Sequence, residues 1–396
     1  MASESPFFLT KIECPICKTI NEFETIRIGA YSETDRDTDF CPTGRQWRNP
    51  RYQAHNPLLY FTATCSNCFY TREFNSSFKD WKNDGYFKTF RLKVIKERHL
   101  DLLGRPESII KAVGHELDPN RYPNETAILK LILAIIDETL NEKQMGLDIG
   151  RFYLRIAWIF REMERGGNPN EQLIKGYLID IDNKFSSLKS SLESIQEKIS
   201  NLQQSVTAQF DDEKISAELK SILFPIKDKY EAELGSFREL ILLTEGKLEA
   251  LEAIAQEHQK LALGTSGDNS MAGFHNHRSM YDFLVQMAAK WDGIPLNQKD
   301  AIKFAVKYYK SAFEDGRDIA DGNQQIQASY LIAELSRRIG DYEVAKEYFN
   351  TTIRTGQEFI YKHKGDPSRT AMARRVLELA MEQGRANLAA AKTNVV

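Results

Sequence analysis

Cys14-Pro15-Ile16-Cys17 and Cys65-Ser66-Asn67-Cys68 decide how the rest of this chain is read. Each pair holds its cysteines two residues apart, so a tight turn can present both thiols on one side. Two such turns supply the four soft donors of a tetrahedral metal site. A small unit cannot build a large core, and a metal would take over that role. The expectation is therefore a structural zinc held by Cys14, Cys17, Cys65 and Cys68, in a ribbon of strands. A redox dithiol is the competing use of Cys-x-x-Cys, but two matched pairs argue for metal over exchange chemistry. A catalytic zinc needs an open position, and four cysteines leave none.

The flanks of both pairs read as strands. Phe7 to Ile12 leads into the first turn, Phe23 to Ile28 alternates before Gly29, and Leu58 to Thr64 delivers the second pair. Between Cys41 and Leu100 there are eleven Lys/Arg against four Asp/Glu, interleaved with Trp47, Tyr52, Tyr60, Phe69, Tyr70, Phe74, Trp81, Tyr86, Phe87 and Phe90. Two readings fit: aromatic core under a solvated basic surface, or a nucleic-acid interface.

The chain of 396 residues is long enough for two or three domains, and at 42% hydrophobic, 28% charged and net charge −3 its composition is ordinary. No apolar run reaches the ~18 residues of a membrane span, and the N-terminus lacks a secretory pattern. Five cysteines, four of them in metal-type pairs, predict a reducing compartment, hence the cytoplasm.

Between the two pairs lies Asp35-Arg36-Asp37-Thr38-Asp39-Phe40-Cys41-Pro42, then His55-Asn56-Pro57. In one reading the aspartates cap turns and pair with Arg36 or Arg27, while Cys41 is a buried thiol or a neighbour of the metal. In the other, Asp37, Asp39, Cys41 and His55 form a second polar site, with a Cys–His nucleophile conceivable. The Cys-Pro-x-Cys pair, the run Arg36 to Pro42, Asn56-Pro57 and Cys65-x-x-Cys68-x-Tyr70 together resemble an uncharacterised bacterial family of unassigned function. The likeness continues through Ala157-Trp-Ile-Phe-Arg-Glu162. The resemblance implies a zinc-ribbon-like N-terminus joined to tetratricopeptide-like helices in a bacterial, cytoplasmic protein, and it supplies no catalytic residue.

From Lys79 onward the pattern turns helical. Asn124 opens an apolar-periodic helix through Leu140, and a second runs over about Ile149–Arg165, making a helical hairpin. Heptads follow, from Ile174 through Leu192 and Ile199 to Val206, and again from Tyr230 to Leu251. Folding back about Asp211 would set Phe185 against Phe237; Pro225 would kink the second arm or slip its register. An antiparallel hairpin within one chain is favoured, and a parallel homodimer remains open. Leu263 to Gly273 reads as a linker, with His275 and His277 expected to be solvated. Ala328 to Phe349 carries a tetratricopeptide-like pattern in Ala333, Gly340, Asp341, Tyr342, Ala345 and Phe349, and a last helix covers about Arg369–Ala391.

The expected architecture is multidomain and mainly α. It comprises a β-rich zinc ribbon (1–100), a helical hairpin (101–170), a coiled-coil hairpin (171–262), a linker (263–278) and a tetratricopeptide-like domain (279–396). Repeat stacks leave a face for partners, and Tyr308, Tyr309, Tyr330, Tyr348 and Tyr361 would either enrich it or pack between the repeats. The functional expectation is a cytoplasmic scaffold or adaptor binding other proteins, not an enzyme, with zinc purely structural and self-association through the coiled coil open. A nucleic-acid-associated regulator using the basic ribbon is the alternative.

Overall fold

Three antiparallel hairpins come first, as the alternating runs beside the cysteine pairs require. A computed structural model describes residues 5–49, 52, 56–74, 78–165, 169–210, 216–263, 274–316, 318–320 and 322–393. Strand β1 (Phe7–Glu13) pairs with β2 (Ile20–Ile26), β3 (Tyr31–Glu33) with β4 (Arg45–Trp47), and β5 (Thr62–Thr64) with β6 (Thr71–Glu73). Helices make up the rest: α1 (Leu92–Gly104), α2 (Ile109–Gly114), α3 (Pro123–Thr139), α4 (Gly146–Arg165), α5 (Pro169–Phe210), α6 (Ala217–Leu263), α7 (Met280–Ala288), α8 (Gln298–Asp315), α9 (Asn323–Ile339), α10 (Tyr342–Lys362) and α11 (Pro367–Thr393). The chain is mainly α with a small β N-terminus. No helix among the described residues is long and apolar enough to cross a membrane.

The chain divides into two compact units, residues 1–170 with 270–396, and residues 171–269. In the first unit α3 packs on β5, β6 and α4, α4 packs on α8, and α8 to α11 follow one another in contact. Helix α3 is apolar on nearly every side and buried to match, from Ala127 to Ile136. The close fit of α4 against α8 depends on Gly150, where a Cβ would come within 3.1 Å of the Tyr309 ring. Tyr153 stacks on Phe304 and Tyr308 alongside. Helix ends are capped by local chemistry: Asn297 and Asp341 accept from the third backbone amide beyond, and Gly340, at φ 88°, ends α9 in the left-handed conformation a side chain resists.

The tyrosines expected on a partner-binding face mostly pack inward. Tyr309, Tyr330 and Tyr348 are buried, whereas Tyr361 is 82% exposed. The aromatics of the N-terminal region are likewise largely core. Trp47, Tyr70, Phe74, Trp81 and Phe87 are buried, and Tyr86 and Phe90 remain on the surface at 62% and 67% exposure.

In the second unit α5 and α6, of 42 and 47 residues, are each roughly 60–70 Å long. The fold-back residue Asp211 lies outside the described residues, but α6 returns alongside α5. Arg238 donates to Ser200 Oγ at 2.9 Å and to Gln203 Oε1 at 3.4 Å. The mirror about Asp211 would have placed residue 184 beside Arg238, so the seam sits about five turns from that register. Heptads explain the slip. A shift of about two and a half heptads carries each apolar row of the seam onto the next, so the pattern cannot choose between them.

Residues 36–42 fold into a turn that plugs into the helices of the first unit. Asp37 N donates to Cys41 O and Phe40 N to Asp37 O, with Phe40 in the left-handed region at φ 65°. Arg161 on α4 forks onto Asp39 and reaches Asp37 at 3.0 Å. From α9, Arg338 meets Asp37 at 2.8 Å and Thr38 Oγ1 at 2.6 Å, while Tyr330 OH donates to Thr38 O. Glu334, fully buried, accepts from Thr38, Arg337 and Arg338. Three carboxylates thus face three guanidiniums, which removes the penalty each would incur by itself in the interior.

Burial would raise the pKa of Asp37, but the hydrogen bond from Arg338, the Thr38 amide and the charges of Arg338 and Arg161 bring it down to about 2. A depressed carboxyl stabilises the fold above its unfolded value of 3.8 and loses that contribution as pH falls through about 2. Asp37→Asn should therefore lower stability by on the order of 2 kcal/mol at neutral pH. Chemical denaturation of both proteins across pH should show that deficit closing between pH 3.8 and about 2.

Candidate metal centre

The two Cys-x-x-Cys turns adopt the same backbone path. Cys14 N donates to Thr19 O and Lys18 N returns to Cys14 O; Cys65 N donates to Tyr70 O and Phe69 N returns to Cys65 O. In each turn the residue four after the first cysteine is left-handed, Lys18 at φ 67° and Phe69 at φ 62°. Neither is glycine, so the turn type leaves no mark in the sequence. Strand pairing ends directly at each turn, at Glu13↔Ile20 and Thr64↔Thr71, which puts the thiols at two hairpin tips.

The tips bring the four cysteines together. Their sulfurs all lie within 4.8 Å of one another, with Cys14 Sγ–Cys68 Sγ at 3.7 Å and Cys17 Sγ–Cys65 Sγ at 3.4 Å. A disulfide would require about 2.05 Å. Four sulfurs about 2.3 Å from a common centre in a tetrahedron stand roughly 3.8 Å apart, so the spacing fits a metal ion. Charge points the same way. Shared hydrogen bonds hold Cys65 well below the usual thiol range and push Cys14 up to about 12, while Cys68 is raised by Cys14 and Cys65. For Cys17, hydrogen bonds from Thr19 and Asn67 outweigh burial and lower the pKa. Crowded sulfurs resist a second negative charge, and a divalent cation at their centre reverses that resistance.

A polar frame orients the tips. Asn21, buried on β2, donates to Thr19 O and Cys65 Sγ and accepts from Ser66 N and Oγ, stitching one turn to the other. Trp81 Nε1 donates to Glu13 O at 2.8 Å beside the first turn. The second turn is tied to the helices by His99, whose Nε2 lies 2.9 Å from Cys68 O and whose Nδ1 lies 2.6 Å from Asp137 Oδ1. Asp137 Oδ2 accepts from Thr71 N at 2.7 Å. Burial opposes the charged imidazole, but Asp137 and the Cys68 carbonyl outweigh it and raise the His99 pKa. Phe69 lies over Gly114 of α2, where a Cβ would meet the ring at 2.3 Å.

The polar residues between the cysteine pairs do not join this centre. Asp35 is exposed, and Asp37 and Asp39 are engaged by arginines. Cys41 is a buried thiol facing Pro42 O, and burial with the nearby Asp39 charge pushes its pKa up to about 12. His55 lies outside the described residues. His275 and His277, expected in solvent, instead flank Glu116 at 3.7 and 3.8 Å, and His275 Nε2 lies 3.0 Å from the Glu116 carbonyl. No local signal linked them to a glutamate about 160 residues earlier.

The chain belongs to the family described as an uncharacterized protein conserved in bacteria (DUF2225), matching it over residues 7–219 and again over 184–367. No curated protein and no solved structure matches the chain.

Elemental analysis of the purified protein should find about one divalent metal per chain. Cys14→Ser or Cys68→Ser should lose it and destabilise the hairpins, while Cys41→Ser keeps it. The reverse pattern would overturn the ligand set.

Proposed function

We propose that this member of the bacterial family is a non-enzymatic cytoplasmic scaffold that binds other proteins through its helices, with zinc at the four-cysteine site serving structure. The observation that carries the reading is the exposed apolar surface of the long helices. Leu188, Ile195 and Leu202 recur every seven residues on α5 at 41–45% exposure, and Phe237, Leu240, Leu242 and Leu243 stand open on α6. A row of this kind suits contact with another helix. The choice of zinc rests on four thiolate donors in tetrahedral spacing. Five unbridged cysteines among the described residues support a reducing compartment. Against catalysis, the carboxylates of the 36–42 turn are committed to arginines, and the Cys41 thiol is far from thiolate at neutral pH. The helical partner includes a second copy of this chain as its simplest case.

A second reading has one observation in its favour. Tyr86 and Phe90 are exposed with ring centroids 5.4 Å apart, on a segment that also carries Lys82, Lys88 and Lys93. Neighbouring exposed rings among lysines suit a single-stranded nucleic acid.

Light scattering together with affinity capture separates these readings. Ile195→Asp combined with Leu202→Asp should abolish self-association or partner capture while metal content and helicity persist. Unchanged association would sink the scaffold role of the arm. Salt-sensitive binding of single-stranded RNA, lost in Phe90→Ala, would move the assignment to the second reading.

A further inference from the structure

Where α4 passes the 36–42 turn, the first unit forms a half-open cavity of about 620 Å³, within the size range of small-molecule sites. Helix α4 contributes Arg155, Trp158 and Glu162, which share one face of the helix at spacings of three and four. Opposite them stand Phe40, Cys41 and Pro42, with Tyr60 and Phe61 closing a side. Four arginines line the space against two glutamates, Glu33 and Glu162. Arg45 is answered by Glu162 at 3.0 Å and Arg36 by Glu33 at 3.7 Å. Arg27 turns its Nε to the carbonyls of Ser5 and Phe7.

Arg155 is different. Among the described residues no carboxylate lies within 4 Å of its guanidinium; Nη1 donates to Arg151 O at 3.1 Å, and the group rests 4.0 Å over the Phe61 ring. Residues 50, 51, 53–55 and 75–77, which lie outside the described residues, include no Asp or Glu in sequence. Elsewhere in this unit buried cations are paired: Arg161 with Asp39, Arg91 with Glu138, Arg338 with Glu334. Lys130, also drawn inside, escapes another way. It donates to Leu59 O at 2.6 Å, and burial lowers its pKa to about 8 against the pull of Glu24. Desolvation and Arg151 lower the Arg155 pKa to about 10 against the pull of Tyr309, Glu73 and Asp148, which leaves it charged at neutral pH. A largely buried cation with no carboxylate of the described residues in contact, answered only from a distance by Glu73 and Asp148, can take an anion.

We propose that this cavity binds a small organic anion, whose carboxylate or phosphate pairs with Arg155 and whose flat apolar body lies against Phe40, Tyr60 and Trp158. The site is independent of the scaffold reading, because the long helices belong to the other unit. A planar guanidinium matches either oxyanion with two parallel hydrogen bonds. Aromatic rings supply the apolar contact that a free inorganic ion does not use. The Cys41 thiol, pushed up by burial, is a neutral part of the wall and no reagent.

The test uses the full chain with its metal, and phenyl phosphate and benzoate as probes beside uncharged benzyl alcohol. Calorimetric titration should show saturable binding of at least one anion, with benzyl alcohol weaker by roughly tenfold or more. Arg155→Lys should retain binding within several-fold, and Arg155→Met should lose it by about tenfold or more. In ¹H–¹⁵N spectra of the unaltered protein, the Trp158 indole signal should move on titration. The Trp81 signal, whose Nε1 is bound to Glu13 O in the ribbon core, should not. The proposal falls if neither anion binds, if benzyl alcohol binds as well, if Arg155→Met binds like the parent, or if Trp158 is unmoved. The spectral readout needs no variant, so a misfolded Arg155→Met still leaves a decision.

Discussion

Asp39 is wholly buried, and much of the first unit is arranged around its charge. An isolated carboxylate in that position would cost several kcal/mol. The fork from Arg161 answers it, Trp158 Nε1 adds a donor at 3.2 Å, and Arg338 stands 3.8 Å away on a helix 299 residues later. Asp37 and Glu334 then balance the added guanidiniums. None of these groups can leave without stranding another, and removing one partner of such a set typically costs about 3–5 kcal/mol. The N-terminal turn is thereby locked to α4 and α9 together.

The metal centre is attached to the same body by a second polar chain. Cys68 O, His99, Asp137 and Thr71 N follow one another through hydrogen bonds, and Asp137 belongs to the buried helix α3. The metal site and the helical core thus share a wall. Loss of an ion held by the four cysteines would disturb Cys68, and with it the partner of His99, whose own partner is fixed inside α3. Through this chain the second cysteine hairpin is tied directly to α3.

The cysteine pairs were legible because metal-ligand spacing is local, and the α-rich body because its apolar periods are long. The helix expected from Asn124 begins at Pro123, and Phe7 to Ile12 is β1 almost to the residue. What escaped is what depends on distant partners. Asp137 sits in an apolar run with nothing nearby to suggest that its mate is His99. The Asp37–Asp39 turn read as turn caps paired with Arg36 or Arg27 ahead of a second polar site, and neither reading could name Arg161 and Arg338 from far along the chain. The α5–α6 register was undetermined for the opposite reason: a repeating pattern offers several equivalent answers. The tyrosines were open to both readings because their chemistry serves packing and binding alike, and only burial tells these apart.

The placement of α5 and α6 between α4 and α8 has a consequence for how the molecule is made. Helices α4 and α8 pack on each other, yet α8 leaves the ribosome only after the intervening unit of about a hundred residues. At about 5–20 residues per second this is a delay of roughly 5–20 s. Through that interval Arg161 can already meet Asp37 and Asp39, but Arg338 and Glu334 do not yet exist. The nascent first half holds Gly150 and Tyr153 without Tyr309 and Phe304 to cover them. Closure of the first unit is therefore a late event in synthesis, and the hairpin that postpones it is complete before the halves it separates can meet.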